Sequence, residues 1–251
     1  MEKSNNYLLP AAIIIGAAIG AFFLGQSIER FNREDRTISV KGFSEQEVKS
    51  DLAVWALKVS VPTNDLSAGS SEIENSKNKI IAFLTRNGIA ADEIIQKEMQ
   101  VADRKANEYN PDMNISFRYI ITKTILVRSA NVDVVFKVSQ MTDELVRAGV
   151  VMSSQTDWQN NGVSFMYTGL NSIKPTMLAE ATRNARQAAE EFCRESGTDL
   201  GKLKRATQGL FTIVDRDDVN ASQNDGGYYS SGRRDVFKKV RVVVSVEYSI
   251  E

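Results

Sequence analysis

The sequence predicts an α+β protein, a largely antiparallel sheet with helices packed on one face, preceded by an N-terminal transmembrane helix. Three observations point there. The last strand alternates strictly: Val240, Val242, Val244, Val246, Tyr248 and Ile250 share one face, while Lys239, Arg241, Ser245, Glu247 and Ser249 take the other. Segments with apolar residues at helical spacing lie between such strands. And Tyr7 to Gly25 is an unbroken run of 19 uncharged residues.

That run, YLLPAAIIIGAAIGAFFLG, would rise about 28 Å as a helix, close to the hydrocarbon thickness of a bilayer. Tyr7 at one end and Phe22 and Phe23 near the other suit the interface. Pro10 sits in the first turn, where a missing N–H costs little. A cleaved signal peptide wants a positive n-region, a shorter apolar stretch and an A-x-A-like site. Here Glu2 offsets Lys3 and the run ends Phe22-Phe23-Leu24-Gly25, so a retained anchor is the expectation. Gly16 and Gly20 form a G-x-x-x-G pair that would let two such helices approach closely. The chain then divides into a flank (1–6), an anchor or uncleaved signal (7–25), a tether (26–36) and a body (37–251).

In the body, Thr37–Val48 reads as a strand in which Gly42 marks a bulge. Leu52–Val61 reads as a second strand, with Ala53, Trp55, Leu57, Val59 and Val61 on one face and Leu52, Val54 and Ala56 on the other, so a central strand covered on both sides is expected. Asn64 or Asp65 caps a helix carrying Leu66, Ile73, Ile80 and Leu84, which ends at Asn87-Gly88. Strands follow at about Ile94–Arg104 and Ser116–Arg128, separated by the turn signal Asn110-Pro111-Asp112. Asn131 caps a second helix running to Gly149. A short strand at Gly162–Tyr167 precedes the longest helix, Ile173–Ser196, whose expected core stripe is Leu178, Ala181, Ala185, Ala188 and Phe192. Strands Leu203–Val214 and Val236–Ile250 close the chain around a polar loop, 215–234. The helix exits at Asn87-Gly88 and Ser196-Gly197 look alike, and a faint repeat of two β-α-β-β units runs through the body.

Composition narrows the function. Charged residues are 25% and the net charge is −1, leaving no basic excess for a nucleic-acid backbone. The chain has no histidine, which removes the commonest general base and metal ligand. Its one cysteine, Cys193, allows no intramolecular disulfide and no thiolate zinc site. Asp215, Asp217, Asp218 and Asp225 suggest a calcium loop, but Val219 occupies the fifth position and breaks the ligand pattern. Cys193 reads as a small buried filler of the long helix. Glu190 and Glu191 are adjacent on a helix and point apart, so they are no acid/base pair. Gly226, Gly227 and Gly232 lie between strands, which is not a phosphate cradle. Tyr228 and Tyr229, near the loop tip, are a candidate partner contact. No catalytic residue, cofactor or metal ligand is expected.

These residues resemble the SIMPL-domain family, whose bacterial members include YggE-like periplasmic proteins. Ile38-Ser39-Val40-Lys41-Gly42 is similar to the family's opening I-S-V-x-G strand. Leu84 to Ile94 matches a helix exit of the type L-x-x-x-G-I. Ile125-Leu126-Val127-Arg128 matches V-x-V-R, Gly162-Val163-Ser164-Phe165 matches G-V-S-F, and Ala181 to Glu190 matches A-x-x-x-A-R-x-x-A-E. The likeness spans about 37–251, departing at Trp158 and Asn160-Asn161. It implies an envelope protein without established catalytic residues, tied to stress tolerance and to large homo-oligomers. The expectation is therefore a membrane-tethered, non-enzymatic scaffold or binding module. It would hold lipid through residues 7–25, pair with copies of itself and meet an unidentified envelope protein, with its body on the periplasmic side of the inner membrane. Arg30, Arg33 and Arg36 favour a cytoplasmic body instead, as in a signalling adaptor. A histidine-independent redox or stress-protective enzyme using Cys193 is the other alternative.

Overall fold

The computed structural model describes residues 36–106, 116–152, 162–217 and 234–250. The apolar run with Gly16 and Gly20, and the loop tip with Tyr228 and Tyr229, lie outside them. Among the described residues, no helix is long and apolar enough to cross a membrane.

The described residues form nine strands and four α-helices in the order β1 (Thr37–Lys49), β2 (Leu52–Thr63), α1 (Leu66–Arg86), β3 (Ile94–Gln96), β4 (Gln100–Asp103), β5 (Tyr119–Ser129), α2 (Val132–Ser139), α3 (Asp143–Arg147), β6 (Val163–Met166), α4 (Leu170–Ser196), β7 (Leu200–Gln208), β8 (Thr212–Asp215) and β9 (Phe237–Ile250). The fold is α+β with antiparallel sheets. A five-stranded sheet runs β3-β5-β2-β6 with β4 also on β5, and a four-stranded sheet runs β1-β9-β7 with β8 also on β9. In each sheet one long strand, β5 or β9, pairs with the two strands that precede it in the chain, β3 and β4 or β7 and β8. Both extended spans expected after the helices, Ile94–Arg104 and Leu203–Val214, are thus each broken into two strands. The helix expected to run from Asn131 to Gly149 is likewise two helices, α2 and α3.

The described residues cluster into two compact units, with β1, β9 and α4 contributing to both. In the larger, 46–173 and 212–240, β2 pairs with β5 from Ala53↔Ser129 to Thr63↔Tyr119. Ala53, Trp55, Leu57, Val59 and Val61 are buried, facing a core that includes Ile121, Ile125 and Val127 of β5, Ile73, Ile80, Phe83 and Leu84 of α1, and Val132, Val135 and Val138 of α2. Each such aliphatic side chain contributes about 2 kcal/mol by leaving water. The opposite face of β2, with Leu52, Val54 and Ala56, is only half-buried. The expected two-sided cover is therefore incomplete, although β2 is indeed an inner strand, with β5 and β6 as neighbours.

Helix ends follow the chain's own chemistry. The Asp65 carboxylate accepts from the N–H groups of Ser67 (2.8 Å) and Ala68 (3.3 Å), capping α1 at its start. At its end Gly88 has φ +94°. There the N–H of Ile89 donates to Leu84 O (3.0 Å) and that of Gly88 to Thr85 O (3.2 Å). The same paired turn, with one bond spanning six residues and one spanning four, ends α3 at Gly149 (φ +77°) and α4 at Gly197 (φ +67°). The likeness between the Asn87-Gly88 and Ser196-Gly197 exits is therefore a shared backbone geometry.

In the smaller unit, formed by residues up to Glu45, Lys174–Phe211 and those from Arg241 on, α4 lies on the sheet. Its buried row is Met177, Ala181, Ala185, Ala189 and Cys193, all at most 3% exposed. Sequence spacing pointed to a row that shares only Ala181 and Ala185 with it. Phe192, taken for core, is 60% exposed. The reason is Gly42. A Cβ there would lie 2.1 Å from Ala181 O and 2.4 Å from Ala185 N, so the helix backbone rests directly on the strand at this point. That seat selects the straight i, i+4 row through Ala181 and Ala185. Gly42 is thus a close-approach position, and β1 continues through it. Ser44 Oγ donates to Glu180 Oε2 (2.7 Å) and Asn184 Nδ2 to Phe43 O (2.9 Å), fixing α4 along β1.

Candidate functional site

The most concentrated buried polar chemistry among the described residues lies in the larger unit, where β8 ends and β9 begins. Lys238 is 1% exposed. It shares strand parity with Val240, Val242 and Val244, so its side chain lies on the buried face of β9. A buried ammonium needs a partner, and Nζ is ion-paired with Asp215 Oδ1. Asp215 Oδ2 accepts from the Arg234 N–H (3.1 Å). One carboxylate thereby holds residues on both sides of the 218–233 segment. Beside it, Arg216 Nε reaches Asp217 Oδ1 (3.3 Å) and Asp235 Oδ2 (3.8 Å), and its guanidinium lies 5.0 Å from the Phe237 ring centroid. The hydrogen bond to Asp217, with that carboxylate's charge, pushes the Arg216 pKa above its ordinary value. Asp235 Oδ1 accepts from the Phe237 N–H (3.1 Å), while Asp235 Oδ2 and Ser50 Oγ are buried atoms without a hydrogen-bond partner among the described residues.

Three carboxylates, Asp215, Asp217 and Asp235, facing two cations, Lys238 and Arg216, make a compact ion-pair cluster with one negative charge in excess. Lys238 is inaccessible as a nucleophile, and Asp215 and Asp217 are engaged by cations. The arrangement ties together the described residues on either side of the 218–233 segment, which contains Tyr228 and Tyr229. Asp215 and Asp217, two of the four aspartates weighed as calcium ligands, are the ion-pair partners here. Among the described residues no group of three or more potential metal ligands forms. Lys238 was missed from the sequence, yet a signal was present: a lysine in register with a row of core valines requires a buried acid nearby.

A second feature is a shallow groove of about 480 Å³ between α1 and α3 in the same unit. Phe83 and Leu145 form its floor, and Lys79, Arg86 and Arg147 its rim. These cations are engaged: Lys79 Nζ donates to Ala148 O (2.9 Å), Arg86 pairs with Glu144 (2.7 Å) and Arg147 with Asp143 (3.0 Å). Cys193 is 3% exposed within the α4 contact row, which matches the reading of it as a filler.

A family model described as SIMPL, a protein of unknown function (DUF541), matches residues 38–248. No curated protein matches the chain.

Proposed function

The chain belongs to the SIMPL family, and on that premise we propose that it is a membrane-tethered, non-enzymatic envelope protein that self-associates and serves as a scaffold or binding module, with a role in stress tolerance. The observation that carries this reading is the order of the chain. An uncharged 19-residue run ends at Gly25, a short polar tether follows, and the family match begins at residue 38, immediately after it. The body faces the periplasm, and the anchor's Gly16 and Gly20 supply a surface on which copies can pair. The exposed strand β7 supports association further: residues 202–208 are exposed, and β9 is its one described neighbour in the sheet. We read the two sheets, each with a long strand paired to the two strands that precede it, as a duplicated unit.

The redox alternative draws on Cys193, which packing removes from solvent, and a buried structural thiol is unreactive. Replacing Cys193 by Ser should leave any stress phenotype unchanged. Light scattering on the full chain in mild detergent tests self-association. Assemblies at micromolar protein are expected, and a monomer at every concentration would remove that part of the reading. Protease added to spheroplasts should digest the body, whereas full protection would place it in the cytoplasm.

A further inference from the structure

The tether brings one end of the smaller unit to the membrane. Only residues 26–35 separate the end of the apolar run from Arg36, and ten residues span at most about 35 Å. Arg36 is the first residue the structure describes, and its carbonyl accepts from the Ile250 N–H (3.0 Å). Ile250 is paired with Leu200, and Tyr248 with Leu203. The Lys202 N–H donates to Ser249 Oγ (2.9 Å). The turn after α4, through Gly197, delivers the chain to Leu200 three residues later. The start of β1, the end of β9, the start of β7 and the end of α4 therefore share one end of this unit.

That end presents apolar surface to solvent. Phe192, one turn before the end of α4, is 60% exposed, and Leu203 on β7 is 52% exposed. Leu203 sits in the sequence Lys202-Leu203-Lys204-Arg205, and all four residues are exposed. An apolar side chain flanked by long cationic ones suits a headgroup layer, where the stems lie among acyl chains and the charges reach water and phosphate. Acids are present too. Glu191 and Glu195 flank Arg194, which pairs with both, and Asp199 is exposed. The charge at this end is therefore mixed, and the apolar pair supplies the main attraction.

Resting on the tethered reading above, we propose that this end of the smaller unit lies against the lipid surface, with Phe192 and Leu203 as its contacts. The domain is then oriented on the membrane rather than hanging free from its tether. β7 runs away from the bilayer, and Leu210, 88% exposed beyond its far end, points to no lipid.

The test uses the full chain with Cys193→Ala, reconstituted in nanodiscs of phosphatidylcholine and phosphatidylglycerol. Spin labels are placed singly at Phe192→Cys, Leu203→Cys and Leu210→Cys, all exposed positions that packing does not constrain. Labels at 192 and 203 should collide several-fold more often with lipid-soluble oxygen, relative to an aqueous nickel chelate, than the label at 210. Adding Phe192→Glu to the Leu203→Cys protein should lower the lipid signal at 203. A chain that fails to stay with the nanodiscs defeats the tethered reading itself. A chain that stays, with three labels alike, defeats this inference alone.

Discussion

Replacing Gly42 by Ala tests the account of how α4 is seated. The added methyl carbon would meet Ala181 O at 2.1 Å, Ala185 N at 2.4 Å and Ala185 Cβ at 2.7 Å. Two of these are helix backbone, which has no rotamer to change. Carbon–oxygen contacts settle near 3.3 Å at their closest, so strand and helix must separate locally by about 1 Å. A gap of that size forfeits a quarter to a half of each dispersion contact it opens. The row from Met177 to Cys193 is at most 3% exposed, so the loss spreads along the helix. Overpacking usually costs 1–3 kcal/mol, and a rigid obstacle places this case at about 3 kcal/mol. For a chain of this size that lowers Tm by about 6–12 °C. Thermal and urea unfolding of the full chain in mild detergent would measure it. Gly149→Ala is the control: its φ is +77° but no atom lies within 4 Å of a Cβ there, so only the left-handed backbone is penalised, by about 1 kcal/mol. If Gly42→Ala were no more destabilising than Gly149→Ala, the close seating of α4 on β1 would be wrong.

Two other predictions follow from charged groups. Asp215→Ala leaves the Lys238 ammonium buried without its partner and should cost about 3–5 kcal/mol, whereas Lys238→Met with Asp215→Leu should fall within about 1 kcal/mol of the parent, both read from urea midpoints at constant m. At the β4–β5 edge, the hydrogen bond from Arg118 holds the Asp103 carboxyl below its ordinary value of 3.8. A carboxyl lowered on folding stabilises above its unfolded pKa and loses that contribution as pH falls through the folded value. The stability difference between the parent and Asp103→Asn should thus be constant above about pH 5 and shrink below about pH 4. A difference that stays flat to pH 2 would show that the pair is not formed in solution.

Much of the fold is legible along the chain because its signals are local. Asp65 caps α1 with its own side chain. Gly88 and Gly197 supply the left-handed turns that end two helices. Strict alternation puts Val240 to Tyr248 on one buried face of β9, as expected. The candidate site was less legible. The aspartates between 215 and 225 stand out as ligand candidates, whereas Lys238, the residue that engages Asp215, declares itself only through its register with the core valines.

What the sequence by itself determined is therefore what depends on neighbours in the chain: the element types, most of their ends, the apolar run at 7–25 and the family. Tertiary structure decided what depends on partners far away. It joined β1 to β9 across nearly the whole chain, and it chose the row of α4 that meets the sheet. Helical spacing offers several adjacent rows of small residues with almost equal claims. A single missing Cβ at Gly42, about 140 positions away in the chain, decides between them, because only there can the helix backbone come close enough to pack.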